Sequence, residues 1–348
     1  MNNPSILKRA FRFFFSNDTG LRLILLRKSR RWIRRYIIFL NERRLSKFTK
    51  GTKRVIRKIN GSKMFLDLTK DDGICRYLII SDIREAYITG TVKKELHEGD
   101  IVVDIGANIG YYALLEAKLV GDKGKVYAIE PIPECINLLK ENVALNNYSN
   151  VEIHQLAIGD KNGVAAMYVG KWLNRSQMKE LDIYKEELLG HEISTQVSTI
   201  DDFLENKPYP DVIRMDVEGY EYQVIKGMKR TLEKQLPLKL VMEFHFDFLG
   251  KEKSLELLRT LKSTGFEIAD VTYELDEKSI THSKPLANIS SYLTSKAHHF
   301  PLKGHLKISI DDILSNTPIR NNEGALDLIF RLRTLETLFK RTIPHSQN

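Results

Sequence analysis

The stretch IVVDIGANIGYY at residues 101–112 decides the fold. Ile101, Val102 and Val103 form an apolar run ending in Asp104, and Gly106, Asn108 and Gly110 then alternate ahead of an apolar, helix-compatible segment at 111–120. The pattern predicts a strand, a tight turn and a helix start. Glycine adopts φ > 0 freely and asparagine tolerates it better than most residues. Such a turn brings backbone close to a ligand and aims the first helical N–H groups at it. A nucleoside-bearing small molecule suits that geometry.

Outward from the turn, strand-like and helix-like patterns alternate from residue 60 on, which predicts an α/β domain on a mostly parallel sheet. Strands are expected at 101–104, 125–130, 151–157, 212–216 and 238–244, with helices at 111–119, 133–146, 220–229 and 251–263. Residues 61–100 read as a cap or substrate-entrance region, with short strands at 63–68 and 76–80 and a helix at 83–96. After Gly163 a strand at 164–169 leads into a polar stretch reaching Glu192, long for a simple connection, with a short helix expected at 178–189. A short capped helix is expected at 199–204. Further strands are expected at 266–273 and 291–296. Residues 301–348 read as a basic, weakly patterned tail with a helix at 326–339.

The 348 residues are 42% hydrophobic and 28% charged, an ordinary globular composition with ample length for a buried core. Cys75 and Cys135, the two cysteines, lack metal-ligand spacing, which argues against a disulfide framework or zinc site and fits a reducing, cytoplasmic compartment. The net charge of +9 is unevenly spread. Residues 1–60 hold 18 Lys and Arg against 2 acidic residues, and the remaining 288 hold 36 against 43. Trp32, Tyr36, Phe39 and Leu40 fall on one helical face, opposite Arg30, Arg31, Arg34 and Arg35. Two readings stand: a helix at 10–45 lying on an anionic membrane surface, or a basic helix packed on protein. No 18-residue uncharged run is present, so a spanning helix is disfavoured, and a cleavable signal peptide fits badly.

Three features sharpen the ligand. The second strand ends in Glu130, where doubly wound sheets place a carboxylate on the ribose hydroxyls, and a carboxylate there disfavours a 2′-phosphate. The turn departs from the dinucleotide G-x-G-x-x-G, because position 108 is Asn and the last glycine comes one residue early. Asp104 suits a cofactor with an ammonium and carboxylate head. Together these describe an S-adenosylmethionine site. Asp104 stands near the amino-acid moiety, the backbone of Gly106, Asn108 and Gly110 runs along it with Tyr111 next, Glu130 and Pro131 meet the ribose, and Ala157, Ile158 and Asp160 surround the adenine.

The third feature is RMDVEGYE at 214–221. Ligands sit outside the carboxyl ends of strands in open α/β sheets, so Asp216 and Glu218 should face the same crevice, with Glu243 and His245 ending the next strand nearby. Methyl transfer to oxygen is an in-line displacement needing an acceptor held close and deprotonated during attack. Asp216, Glu218, His245 and Glu243 are the candidate base and orienting residues. Paired carboxylates can also hold Mg²⁺, but spacing alone assigns no metal.

DIGANIGYY, AIEPIPECINLLKENVALNN, LAIGD, VSTIDDFL and IRMDVEGYEYQVIKGM, in this order, resemble the FkbM-type methyltransferases over roughly residues 60 to 296. The resemblance implies a Rossmann-like class I methyltransferase fold, a mostly parallel seven-stranded sheet with helices on both faces spanning residues 101–300. It also implies S-adenosylmethionine as cofactor and methyl transfer to hydroxyl groups of sugars, lipids or polyketides. Three rival readings fit less well. A nucleic-acid methyltransferase is disfavoured because DVEG stands where base N-methylating enzymes carry an Asn/Asp-Pro-Pro-aromatic segment. A membrane-associated binding protein on a defunct fold is disfavoured by the intact acidic and glycine positions, and a nicotinamide enzyme by the Asn108 spacing. Acceptor, general base and oligomeric state are not legible here.

Overall fold

The computed structural model describes residues 52–69, 73–81, 83–170, 176–178, 181, 189–274, 303–305, 308–315, 318–319, 323–324 and 334–341. The chain divides into two compact units, residues 1–55 and 56–348. The expected amphipathic helix and the expected strand at 291–296 lie outside the described residues.

Along the chain come strands β1 (Arg54–Ile59) and β2 (Ser62–Asp67), helices α1 (Gly73–Ile80) and α2 (Ala86–Glu95), then β3 (Ile101–Ile105), α3 (Tyr111–Val120), β4 (Lys125–Ile129), α4 (Pro133–Leu145) and β5 (Val151–His154). Four strands follow: β6 (Ala157–Ile158), β7 (Gly163–Gly170), β8 (Gln177–Met178) and β9 (Leu189–Ser198). Next are α5 (Ile200–Phe203), β10 (Val212–Met215), α6 (Glu221–Lys226), α7 (Lys229–Glu233), β11 (Lys239–His245), α8 (Phe246–Ser263) and β12 (Phe266–Glu274). The last elements are β13 (Lys303–His305), α9 (Ile310–Leu314), the two-residue strands β14 (Pro318–Ile319) and β15 (Glu323–Gly324), and β16 (Thr334–Arg341).

The central sheet runs β13-β12-β16-β11-β10-β3-β4-β5. The pairs β5/β4, β4/β3, β3/β10 and β10/β11 are parallel, and β16 is antiparallel to both β11 and β12. Without the three-residue β13 this is the seven-stranded Rossmann-like class I methyltransferase arrangement. A second sheet, β6-β9-β7-β8, stands beside it.

The strands are buried on both faces, as a parallel sheet covered by helices requires. Val103, Ile105, Ile129, Ile213, Met215, Leu240, Met242 and Phe244 join Ile200, Val224, Leu257 and Leu261 in one core. The alternate residues, among them Val102, Val126, Ala128, Val212 and Val241, are equally buried. Chain order places β4 on one side of β3 and β10 on the other, so the strand order reverses there. Open α/β sheets bind ligands at the carboxyl ends beside that switch.

Four expectations are corrected. Residues 76–80 belong to helix α1, not a strand; Ile74, Cys75, Leu78 and Ile79 are buried at one helical face. The strand expected at 151–157 breaks at Gln155, and its two parts join different sheets. Within the helix expected at 178–189, Met178 ends β8 and Leu189 opens β9, the rest except Leu181 lying outside the described residues. The helix expected at 326–339 is strand β16 from Thr334 onward, so residues beyond 300 are not a tail apart from the domain. Pairing on both sides, with Thr337, Leu338 and Phe339 consecutively buried, overrides the local helical pattern.

Candidate active site

The turn after β3 is built by backbone and two side chains. Gly106 and Ala107 donate their N–H groups to the Ile129 carbonyl at 2.9 and 3.0 Å, tying the turn to the end of β4. Gly106 has φ +80°, and a Cβ there would stand 2.0 Å from the Asp216 carbonyl oxygen. Only glycine lets the turn and the end of β10 approach so closely. Asn108 takes φ 50° and accepts the Ile109 N–H on its Oδ1 at 2.8 Å, and Gly110 caps α3 at φ 94°.

Glu130 follows β4 and is 4% exposed. Its Oε2 accepts from the Asn108 N–H and its Oε1 from the Ile132 N–H, both at 2.9 Å. Burial pushes its pKa up to about 7, against the pull of those two N–H groups. Each carboxylate oxygen keeps a lone pair for a further donor.

A crevice of about 920 Å³, counted to its open mouth, lies over these strand ends. Gly106, Asn108, Tyr111, Glu130, Pro131, Ala157 and Ile158 line it, as do Asp216 and Glu218 on the β10 side. Ile132, Ala157, Met167, Met178 and Tyr220 share an apolar cluster and form an apolar wall. Ile74 and Arg84 bring the 61–100 region to the opening, and Ser176, Gln177 and Met178 bring the long insertion.

Other expected site residues stand elsewhere. Asp104 does not line the crevice: it is fully buried, and Arg214 Nη1 donates to its Oδ1 at 2.8 Å. Its other oxygen, Oδ2, is buried with no hydrogen-bond partner among the described residues. Burial and the Asp104 charge hold the neighbouring Glu116 well above the usual carboxylate range, and burial raises Asp104 as well, against the pull of Arg214. Asp160 lies 3.6 Å from Lys226 Nζ, and neither it nor Gly110 lines the crevice. The Tyr111 hydroxyl is engaged by the Arg84 backbone and Thr89.

Glu243 and His245 do not line the crevice, yet they stand beside Asp216, which does. His245 Nδ1 lies 2.7 Å from Glu221 Oε1, and its Nε2 lies 3.6 Å from Glu243 Oε1. Burial opposes the imidazolium charge, but Glu221, Glu243 and Glu218 outweigh it and raise the ring well above its usual value. Burial, then Asp216, likewise holds Glu243 well above the carboxylate range.

Sequence reasoning missed Arg84, Arg214 and Tyr112. Arg214 was findable: a cation inside the apolar run VIRM needs a buried partner, and Asp104 is the acid on the adjoining strand. Its guanidinium also stacks 3.8 Å from the Tyr112 ring centroid. Arg84 sits at a turn with no local signature, pairing with Glu85 beside Asp216 and Glu243.

Residues 104–268 match the family described as methyltransferase FkbM domain. The chain is 29% identical over 150 residues to methyltransferase 1 of Beauveria bassiana, covering 38% of this chain and 59% of that protein. It is 41% identical over 59 residues to protein-L-isoaspartate O-methyltransferase of Methanococcoides burtonii, covering 17% of this chain and 29% of that one. The chain thus spans less than two thirds of the length of these relatives. Aeropyrum pernix fibrillarin, solved with natively bound S-adenosyl-L-methionine, overlays at a TM-score of 0.35 with 14% identity, covering 63% of this chain and 76% of that one. Over residues 104–268 the chain therefore matches the methyltransferase FkbM domain.

Proposed function

We propose that this chain transfers the methyl group of S-adenosylmethionine to a hydroxyl oxygen of a glycan, glycolipid or other small metabolite. The observation that carries the reading is Glu130, a buried carboxylate fixed by two backbone N–H groups at the floor of a crevice with an apolar wall. Its remaining lone pairs suit the two hydroxyls of an unphosphorylated ribose, and the wall of Ala157, Met167, Met178 and Tyr220 suits an adenine. The donor set fits the cofactor.

When bound, S-adenosylmethionine supplies an electrophilic methyl group on sulfonium sulfur. This chain's own residues do the rest. Asp216 and Glu218 line the same crevice, where an acceptor hydroxyl would be oriented. One of these carboxylates would take the proton of an acceptor hydroxyl as its oxygen received that methyl group. Acidic walls favour a neutral, polyhydroxylated acceptor over a polyanion such as nucleic acid.

Residues 10–45, in this reading, bring the enzyme to an anionic membrane surface without spanning it. Among the described residues no helix is long and apolar enough to cross a membrane. Full-length protein should co-sediment with anionic vesicles, and protein starting near Gly61 should not; equal sedimentation of both would reject the contact.

The acceptor is tested by incubating the protein with methyl-labelled S-adenosylmethionine and separate pools of glycans, glycolipids, small alcohols, RNA and protein. Label and a 14-dalton gain on a hydroxyl-bearing small acceptor are expected, 14 daltons being the mass of a CH₂. Label confined to RNA or protein would overturn the reading.

A further inference from the structure

We propose that Asp216, Glu243 and His245 form a binding site for a divalent first-row transition-metal cation at the acceptor side of the crevice. Asp216 follows β10, and Glu243 and His245 close β11; the two strands are parallel neighbours, so all three residues meet at the same edge of the sheet. One ligand atom from each lies within 4.8 Å of the others. Atoms bound about 2.1 Å from a common cation stand about 3 Å from their nearest fellow ligands. The cluster would contract by less than about 2 Å to close on an ion, within reach of side-chain rotation.

His245 separates this cluster from a chance gathering of acids. Its side chain is 6% exposed, with the ring stacked on Phe248. Nδ1 faces Glu221 Oε1 at 2.7 Å, and that oxygen already accepts the Gly219 N–H at 3.1 Å. A carboxylate behind one ring nitrogen is the arrangement that orients a metal-binding imidazole and leaves the other nitrogen as ligand. That other nitrogen, Nε2, makes no hydrogen bond among the described residues and points at Glu243, 3.6 Å away.

Charge favours the same occupant. Asp216, Glu85 and Glu218 all press on Glu243 electrostatically. The nearby arginines are committed, Arg84 to Glu85, and Arg214 to Asp104 at 2.8 Å with Asp216 at 3.5 Å. Two carboxylates and one imidazole suit Mn²⁺, Fe²⁺, Co²⁺ or Zn²⁺ better than Mg²⁺ or Ca²⁺, which favour all-oxygen shells. Because Asp216 also lines the crevice, a cation here would touch an acceptor oxygen and ease loss of its proton. That role rests on the methyltransferase reading; the binding itself does not.

The test is titration of metal-free, full-length protein with Mn²⁺ alone, followed by electron paramagnetic resonance of free Mn²⁺, with no cofactor present. One ion per chain is expected, at micromolar affinity and resistant to equimolar Mg²⁺. Affinity should fall at least tenfold in Glu243→Gln and His245→Gln, and ten- to a hundredfold in Glu221→Gln, with circular dichroism unchanged. Glu243 is partly exposed, so Glu243→Gln carries the test if His245→Gln does not fold. No bound Mn²⁺ at 1 mM, equal displacement by Mg²⁺, or binding that survives Glu243→Gln would overturn the proposal. S-adenosylhomocysteine binding is measured separately on the same samples, so failure of the metal site and failure of the cofactor site are told apart.

Discussion

Asp104 and Arg214 occupy register-paired positions on adjacent parallel strands, and they join across the sheet by a 2.8 Å hydrogen bond where both are almost wholly buried. The pair closes the floor of the crevice: Arg214 reaches its lining, and Asp104 lies beneath. Removing one partner strands a charge without solvent. Arg214→Met and Asp104→Ala should each cost about 3–5 kcal/mol, and the double variant should cost less than the sum of the two. Urea unfolding of the four proteins checks this. Additive losses would show that the pair does not couple.

Glu130 gives the site a pH dependence. Its folded-state pKa is raised from 4.5 to about 7 by burial. Its contribution to the stability of the free protein is therefore complete below about pH 4.5 and is lost as pH rises toward 7. Ribose hydroxyls donate to the ionised form. Affinity for S-adenosylhomocysteine should thus increase by up to about tenfold per pH unit between pH 5.5 and 7, then level off. Glu130→Gln should flatten that profile and weaken binding, because one of the two N–H groups loses its acceptor. A flat wild-type profile in isothermal titration over this range would remove Glu130 from the ribose.

Strand β16 should be indispensable. Phe339 is 1% exposed and shares its core with Phe266 and Leu240. Phe339→Ala should cost about 3–5 kcal/mol, read as a lowered denaturation midpoint. Protein ending at residue 300 should lose cooperative unfolding, since β11 and β12 would each lack a pairing partner. An unchanged midpoint in both would contradict the sheet order.

The parallel half of this sheet was legible because apolar runs, turn residues and helical periods agree locally, as at Ile101 to Val120 and Val212 to Met215. Strand β16 was not, because TLETLFKR satisfies a helical pattern as well, and only its two neighbours, distant in sequence, decide otherwise. Glu130 and the Gly106 turn were legible in kind, since a strand end and a tight turn constrain residue type. The Arg214 partner of Asp104 was missed for a related reason. An acid closing a buried strand can face a ligand or a buried cation, and the cation sits 110 residues away. Arg84 carries no sequence signal, as its place depends on how the segment before β3 folds over the opening.

The central claim is that Glu130 and the Gly106 turn hold S-adenosylmethionine. Isothermal titration of the full chain with S-adenosylhomocysteine at pH 8 tests it most directly, with Glu130→Ala and Gly106→Ala alongside. The account predicts one site per chain with a dissociation constant on the order of micromolar. Affinity should fall by at least about tenfold, or 1.4 kcal/mol, in each variant. No binding by the wild-type chain, or binding equally tight in Glu130→Ala, would contradict it.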